Sequence, residues 1–134
     1  VSFKKLTQKY VDFGGGLEIL LAASENKQDV FKTSLYSEAI KSLENLTKAD
    51  LNYSKNPKPY RIIADHLTAS IFMVSDGVIP ENKGRGYILR RLIRRAMVQS
   101  RKLGMSGDEW LSNISPVLEV AHNVDNSLKM IPLT

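Results

Sequence analysis

Residues Tyr60–Met97 read "YRIIADHLTASIFMVSDGVIPENKGRGYILRRLIRRAM", and their periodicity decides the fold. From Arg61 to Ser75 apolar residues recur around most of a helical circumference, with Ile62, Ile63, Leu67, Ile71 and Val74 leaving only Arg61, Asp65 and Thr68 as a polar stripe. A helix of that pattern belongs at the centre of a bundle. The loop "SDGVIPENKGRG" follows, punctuated by Gly77, Pro80, Gly84 and Gly86, and a second helix then carries Arg90, Arg91, Arg94 and Arg95. On a wheel at 100° per residue with Leu89 at the origin, Leu92, Ile93, Ala96 and Met97 fall within about 80° either side. Arg90, Arg91, Arg94, Arg95, Arg101 and Lys102 occupy the arc from about 100° to about 240°, with Tyr87 in its middle. One face is built for a core and the other for something outside it.

The charge of the chain is concentrated in that helix. The formal net charge is +5 over 134 residues. Eight of the nineteen basic residues lie between Lys83 and Lys102, and no Asp or Glu lies between Glu81 and Asp108; the remainder holds eleven basic residues against fourteen acidic ones. Like charges at i,i+4 repel by a few tenths of a kcal/mol per pair, so this face implies either a polyanionic partner or a distant acidic surface. Six of the eight are arginines, among them Arg85 and Arg101, and arginine's forked donors favour phosphate. Nucleic acid and membrane both supply phosphate, and the wheel does not separate them. Context favours nucleic acid: the basic helix sits between other amphipathic segments that need its apolar face, and Tyr87 suits stacking on a nucleotide.

Other features exclude chemistry. There is no cysteine, hence no disulfide, thiol nucleophile or thiolate metal site, as suits a reducing cytoplasm. Two distant histidines, His66 and His122, argue against zinc. No apolar run approaches about 18 residues, and the N-terminal "VSFKKLTQKY" lacks the apolar stretch of a signal peptide; it reads as the start of a piece cut from something longer. With 43% apolar residues the chain can bury one core.

Outside the quoted stretch the pattern is mainly α. "QKYVDF" (8–13) alternates as one short strand, stops at Gly14-Gly15-Gly16 and is followed by the helix formers "LEILLAASE". From Asp29 onward Phe31, Leu35, Ala39, Ile40, Leu43 and Leu46 follow helical spacing, with Thr33 or Ser34 as caps. Residues 47–60, containing Pro57 and Pro59, read as a loop, and Glu109 to about Val124 as a last helix bearing Pro116. Arg61 and Asp65 are placed for an i,i+4 ion pair. Adjacent Asp65 and His66 diverge by about 100° on a helix, which favours a hydrogen-bonded core histidine over an acid/base dyad. The glycine triplet lacks the Lys-Ser/Thr of a P-loop.

The quoted stretch closely resembles the helix-loop-helix segment of alanyl-tRNA synthetases, where an Arg-x-Ile-Ala-Asp-His run leads to an Asp-Gly-Val-x-Pro loop and a Gly-Arg-Gly-Tyr-x-Leu-Arg-Arg helix. Upstream, "VDFGGGLEIL" (11–20) resembles that family's form of class II motif 3. The resemblance implies that residues 1–26 edge a catalytic domain, with the strand left over from its sheet, and that 27–134 are the first part of a helical tRNA-recognition module. It further implies that Asp12, Gly14 and Gly16 are the remnant of an ATP site, that ATP and Mg²⁺ serve the parent enzyme, and that Asn56 reads the exposed guanine amino group of a G·U wobble pair in the acceptor stem. The aspartate that partners this asparagine in the family lies further along than this chain reaches. Arg85, Tyr87, Arg90, Arg91, Arg94, Arg95, Arg101 and Lys102 would face the tRNA. The expected partners are tRNA and the rest of the synthetase chain, with no membrane. Two departures stand out: Ile19 occupies the place of the family's phosphate-binding arginine, and Thr68 that of an arginine near the tRNA. Two alternatives stay open, a helical piece whose arginine face docks on its own enzyme and a general RNA-binding domain.

Overall fold

The computed structural model describes residues 2–5, 7, 8, 10, 14–47 and 49–121, without the side chains of 49 and 109. Among these residues five α-helices follow in order: α1 (Leu17–Ser24), α2 (Ser37–Leu46), α3 (Pro57–Ser75), α4 (Gly84–Lys102) and α5 (Glu109–Ala121), with 3₁₀ turns at Val30–Lys32 and Ala49–Leu51. The chain is mainly helical. The strand expected at 8–13 falls mostly outside the described residues, and among those described there is no strand.

The α3–α4 hairpin is the backbone of the fold, and α2 and α5 pack on α3 and on each other. Tyr60, Ile63, Ala64, Leu67 and Ile71 of α3 meet Tyr36, Ala39, Ile40 and Leu43 from the α2 side and Trp110, Ile114 and Leu118 of α5 in one apolar cluster. As its all-round apolarity predicts, α3 is central. Burying a large aliphatic or aromatic side chain in such a cluster contributes about 1.5–3 kcal/mol.

Three local expectations are corrected. Helix α3 starts at Pro57, with Pro59 also in its first turn, although 47–60 read as loop. First-turn amides have no intrahelical acceptor, so proline costs nothing there and its fixed φ fits. Helix α4 likewise starts inside the Gly-Arg-Gly run, at Gly84. Neither Thr33 nor Ser34 is the N-cap of α2; Tyr36 is, and the Ser34 amide and hydroxyl instead donate to the Glu25 carboxylate at 3.0 and 2.5 Å.

Thr68 is buried, not on a polar stripe, because its hydroxyl donates back to the Ala64 carbonyl at 2.8 Å and so enters the core satisfied. Arg61 does not pair with Asp65. Its Nη2 donates to Asp29 Oδ2 at 2.9 Å and its Nε to the Tyr53 hydroxyl at 3.0 Å, while its guanidinium lies 5.9 and 5.8 Å from the ring centroids of Phe31 and Tyr53. Asp65 Oδ2 instead accepts from its neighbour, His66 Nδ1, at 2.8 Å, so the two side chains fold toward each other despite their divergent positions. His66 is largely buried, and among the described residues its Nε2 meets no partner.

The Asp29 cluster ties the segment before α2 to α3. Asp29 Oδ2 also accepts from the Tyr53 hydroxyl at 2.6 Å, and Oδ1 from the Phe31 amide at 3.1 Å. Burial alone would raise its pKa, but the bonds from Tyr53, Arg61 and Phe31, with the Arg61 charge, hold it below the ordinary 3.8. A depressed carboxylate contributes stability above its unfolded pKa and loses it as pH falls through the folded value. Asp29→Asn should therefore cost about 1–2 kcal/mol at neutral pH, and urea titrations of wild type and variant should converge as the pH falls through the lowered Asp29 pKa. A difference unchanged by acid would rule out the charged cluster as its source.

Candidate nucleic-acid interface

Helix α4 divides as its sequence period dictates. Gly86, Leu89, Ala96 and Ser100 are buried, and Leu92, Ile93 and Met97 are half-buried. Arg85, Arg90, Arg91, Arg94, Arg95, Arg101 and Lys102 are all exposed. Among the described residues none of them lies within ion-pair distance of a carboxylate; the ion pairs there are Lys41–Glu38, Arg61–Asp29 and His66–Asp65. Asp108 shares a depression with Arg90 and Arg94 without reaching ion-pair distance, so the basic face has no direct acidic partner among the described residues.

The charges do not form one site. Arg90, Arg91, Arg94 and Arg95 line a single groove with Tyr87 and Val98. The spacing of Tyr87, Arg91, Arg94 and Val98, i, i+4, i+7 and i+11, puts them on one stripe about 16 Å long. Val98, half-exposed within the cationic surface, was legible on the wheel at 180° from Leu89 but is easily passed over as core. Asn82, in the connecting loop, accepts a hydrogen bond from Arg90 Nη1, which orients that guanidinium without cancelling its charge. Arg85 faces elsewhere, into a depression shared with Gly77 and Lys83 of the loop. Arg101 and Lys102 occupy the last turn, where cations complement the helix dipole.

Asn56 holds the N-cap position of α3 at the other end of the hairpin, roughly 20 Å along the axis from Tyr87 and nearer Arg101 and Lys102. Its side chain makes no capping bond, which leaves the carboxamide available. The loop beneath it is fixed: the Asn56 amide donates to the Asn52 carbonyl at 3.0 Å and the Tyr53 amide to Glu44 Oε1 at 2.8 Å. Among the described residues the α3–α4 hairpin thus carries two separated features, an arginine groove and an asparagine side chain without a hydrogen-bond partner.

Comparison with known proteins decides the family. The family described as tRNA synthetases class II (A) matches residues 1–130. The alanine–tRNA ligase of Elusimicrobium minutum strain Pei191 is 42% identical over 106 residues, 79% of this chain and 12% of that protein. That of Streptococcus pyogenes serotype M12 strain MGAS2096 is 39% identical over 116 residues, 87% of this chain and 13% of the relative. That of Rickettsia felis is 38% identical over 125 residues, 93% and 14% respectively. The chain belongs to the alanyl-tRNA synthetases.

This alanyl-tRNA synthetase chain spans only 12 to 14% of the length of those relatives. Of the expected ATP remnant, the described residues include only the glycines. Asp12 lies outside the described residues. Gly14 is exposed with open space around it, and Gly16 is extended as the N-cap of α1. Ile19, 68% exposed, presents an aliphatic side chain to solvent beside it. Among the described residues no group of three or more His, Asp or Glu side chains is placed to hold a metal, and no helix is long and apolar enough to cross a membrane.

Proposed function

We propose that this chain is the acceptor-stem-binding segment of an alanine–tRNA ligase, whose parent attaches alanine to its tRNA in the cytoplasm using ATP and Mg²⁺. Residues 1–26 would edge the catalytic domain, and 27–134 would begin the recognition domain. The observation that carries this reading is the arginine groove of α4, exposed, without acidic partners among the described residues, and backed by a buried face that keeps it in place. An A-form stem presents phosphates and a wide, shallow minor groove. Arginines on one helical stripe can follow the phosphates while a polar side chain at a distance reads a base edge. Asn56, unengaged at the far end of the hairpin, is the reader of the guanine amino group in a G·U pair.

Positioning and reading separate by mutation. Arg94→Ala should weaken binding to hairpin RNAs carrying G·U or G·C by the same factor, and flatten the salt dependence by about one phosphate contact. Asn56→Ala should cost roughly 1–3 kcal/mol on the G·U hairpin and little on the G·C one, where the guanine amino group is already paired. Equal losses on both hairpins would reduce Asn56 to a loop residue.

A further inference from the structure

We propose that the Tyr87 end of the α4 groove is a binding site for an unpaired ribonucleotide, whose base stacks on the phenol ring while its flanking phosphates lie on Arg90, Arg91 and Arg94. The proposal rests on the reading that α4 binds RNA and deepens it, since a duplex wall alone gives no reason for an aromatic ring there. Cations suffice to follow a duplex backbone, whereas the base faces of a duplex are covered by their neighbours.

Tyr87 is 49% exposed on a helix whose opposite face is buried, and among the described residues its hydroxyl bonds to no protein group and its ring packs on no other aromatic. Arg90 and Arg91 follow at i+3 and i+4, so both guanidinium groups issue one turn from the ring. Arg90 is oriented by Asn82, a neutral acceptor, and Arg94 continues the line one turn on. A flat π face followed at one-turn spacing by forked phosphate donors matches the parts of one nucleotide with its neighbouring phosphates. An unpaired nucleotide, in an overhang or bulge beside the stem, exposes a base face to such a ring, whereas base pairs within the stem do not.

The test uses the whole chain and two RNA probes: a blunt hairpin, and the same hairpin with a short unpaired extension containing 2-aminopurine. Wild type should bind the extended probe more tightly and quench its fluorescence. Tyr87→Ala should lose roughly 5- to 100-fold on the extended probe and almost nothing on the blunt one, with the salt slope unchanged because no charge is removed. Tyr87→Phe should behave as wild type. Equal affinity of wild type and Tyr87→Ala for the extended probe, with Arg94→Ala still weakening both probes, would overturn the nucleotide site and leave the backbone contact standing. Loss of salt-dependent binding to either RNA, or equal binding to anionic vesicles, would overturn the RNA reading and this proposal with it.

Discussion

Gly86→Ala should destabilise the protein by roughly 3 kcal/mol or more. A β-carbon at Gly86 would lie 2.4 Å from the Ile79 carbonyl oxygen, 2.7 Å from Glu81 Cβ and 2.8 Å from the Glu81 amide nitrogen. Two of those atoms are backbone, so no rotamer relieves the clash and the loop between α3 and α4 must move. The loop carries Asn82, so Arg90 would lose its anchor as well. Gly14, which among the described residues has nothing within 4 Å of an added β-carbon, supplies the control: Gly14→Ala should change stability by less than about 0.5 kcal/mol. Urea titrations of the two variants compare them directly, and a Gly86→Ala protein as stable as Gly14→Ala would mean that the loop does not close on α4 as described.

The second large effect is on binding. Replacing Arg90, Arg91, Arg94 and Arg95 together by glutamine removes four phosphate contacts while keeping length and helix propensity. Each contact contributes a counterion-release slope of roughly 0.7–0.9, so at about 0.1 M salt the quadruple variant should bind acceptor-stem RNA about a thousandfold more weakly. All four side chains are exposed, so the fold should survive; relief of like-charge repulsion should make it slightly more stable. Weak binding together with wild-type circular dichroism and denaturation is the expected combination. Weak binding in an unfolded variant would be uninformative about the groove, and single replacements at Arg91 or Arg94 would then carry the test.

What was legible in the residues followed from local period. The wheel for α4 separated Leu89 and Ala96 from Arg90, Arg91, Arg94 and Arg95, and the structure buries the first set and exposes the second. The all-round apolarity of α3 placed it at the centre, where Ile63 and Leu67 now sit. What failed depended on contacts distant in sequence. Arg61 has a carboxylate four residues away, yet pairs with Asp29, 32 residues back, because Phe31 and Tyr53 form the slot in which its guanidinium lies. Thr68 looks polar in a string of letters, but its hydroxyl closes on its own helix. Gly86 gave no sign of its close approach to Ile79, since a glycine in a loop-to-helix junction has several uses. Of the candidate site, the arginine groove was legible as a face, whereas its division from Arg85, Arg101 and Asn56 needed the hairpin.

The central claim is that the α4 arginine face grips the phosphates of an RNA stem. Its most direct test is a salt titration of wild-type binding to an acceptor-stem hairpin. If Arg90, Arg91, Arg94 and Arg95 each neutralise one phosphate, log affinity should fall linearly against log salt with a slope at least as steep as roughly −3, and the quadruple glutamine variant should have a slope shallower by about 3. A slope near zero for wild type, or one unaltered by the four replacements, would contradict the claim and assign the arginine face to docking on another protein surface.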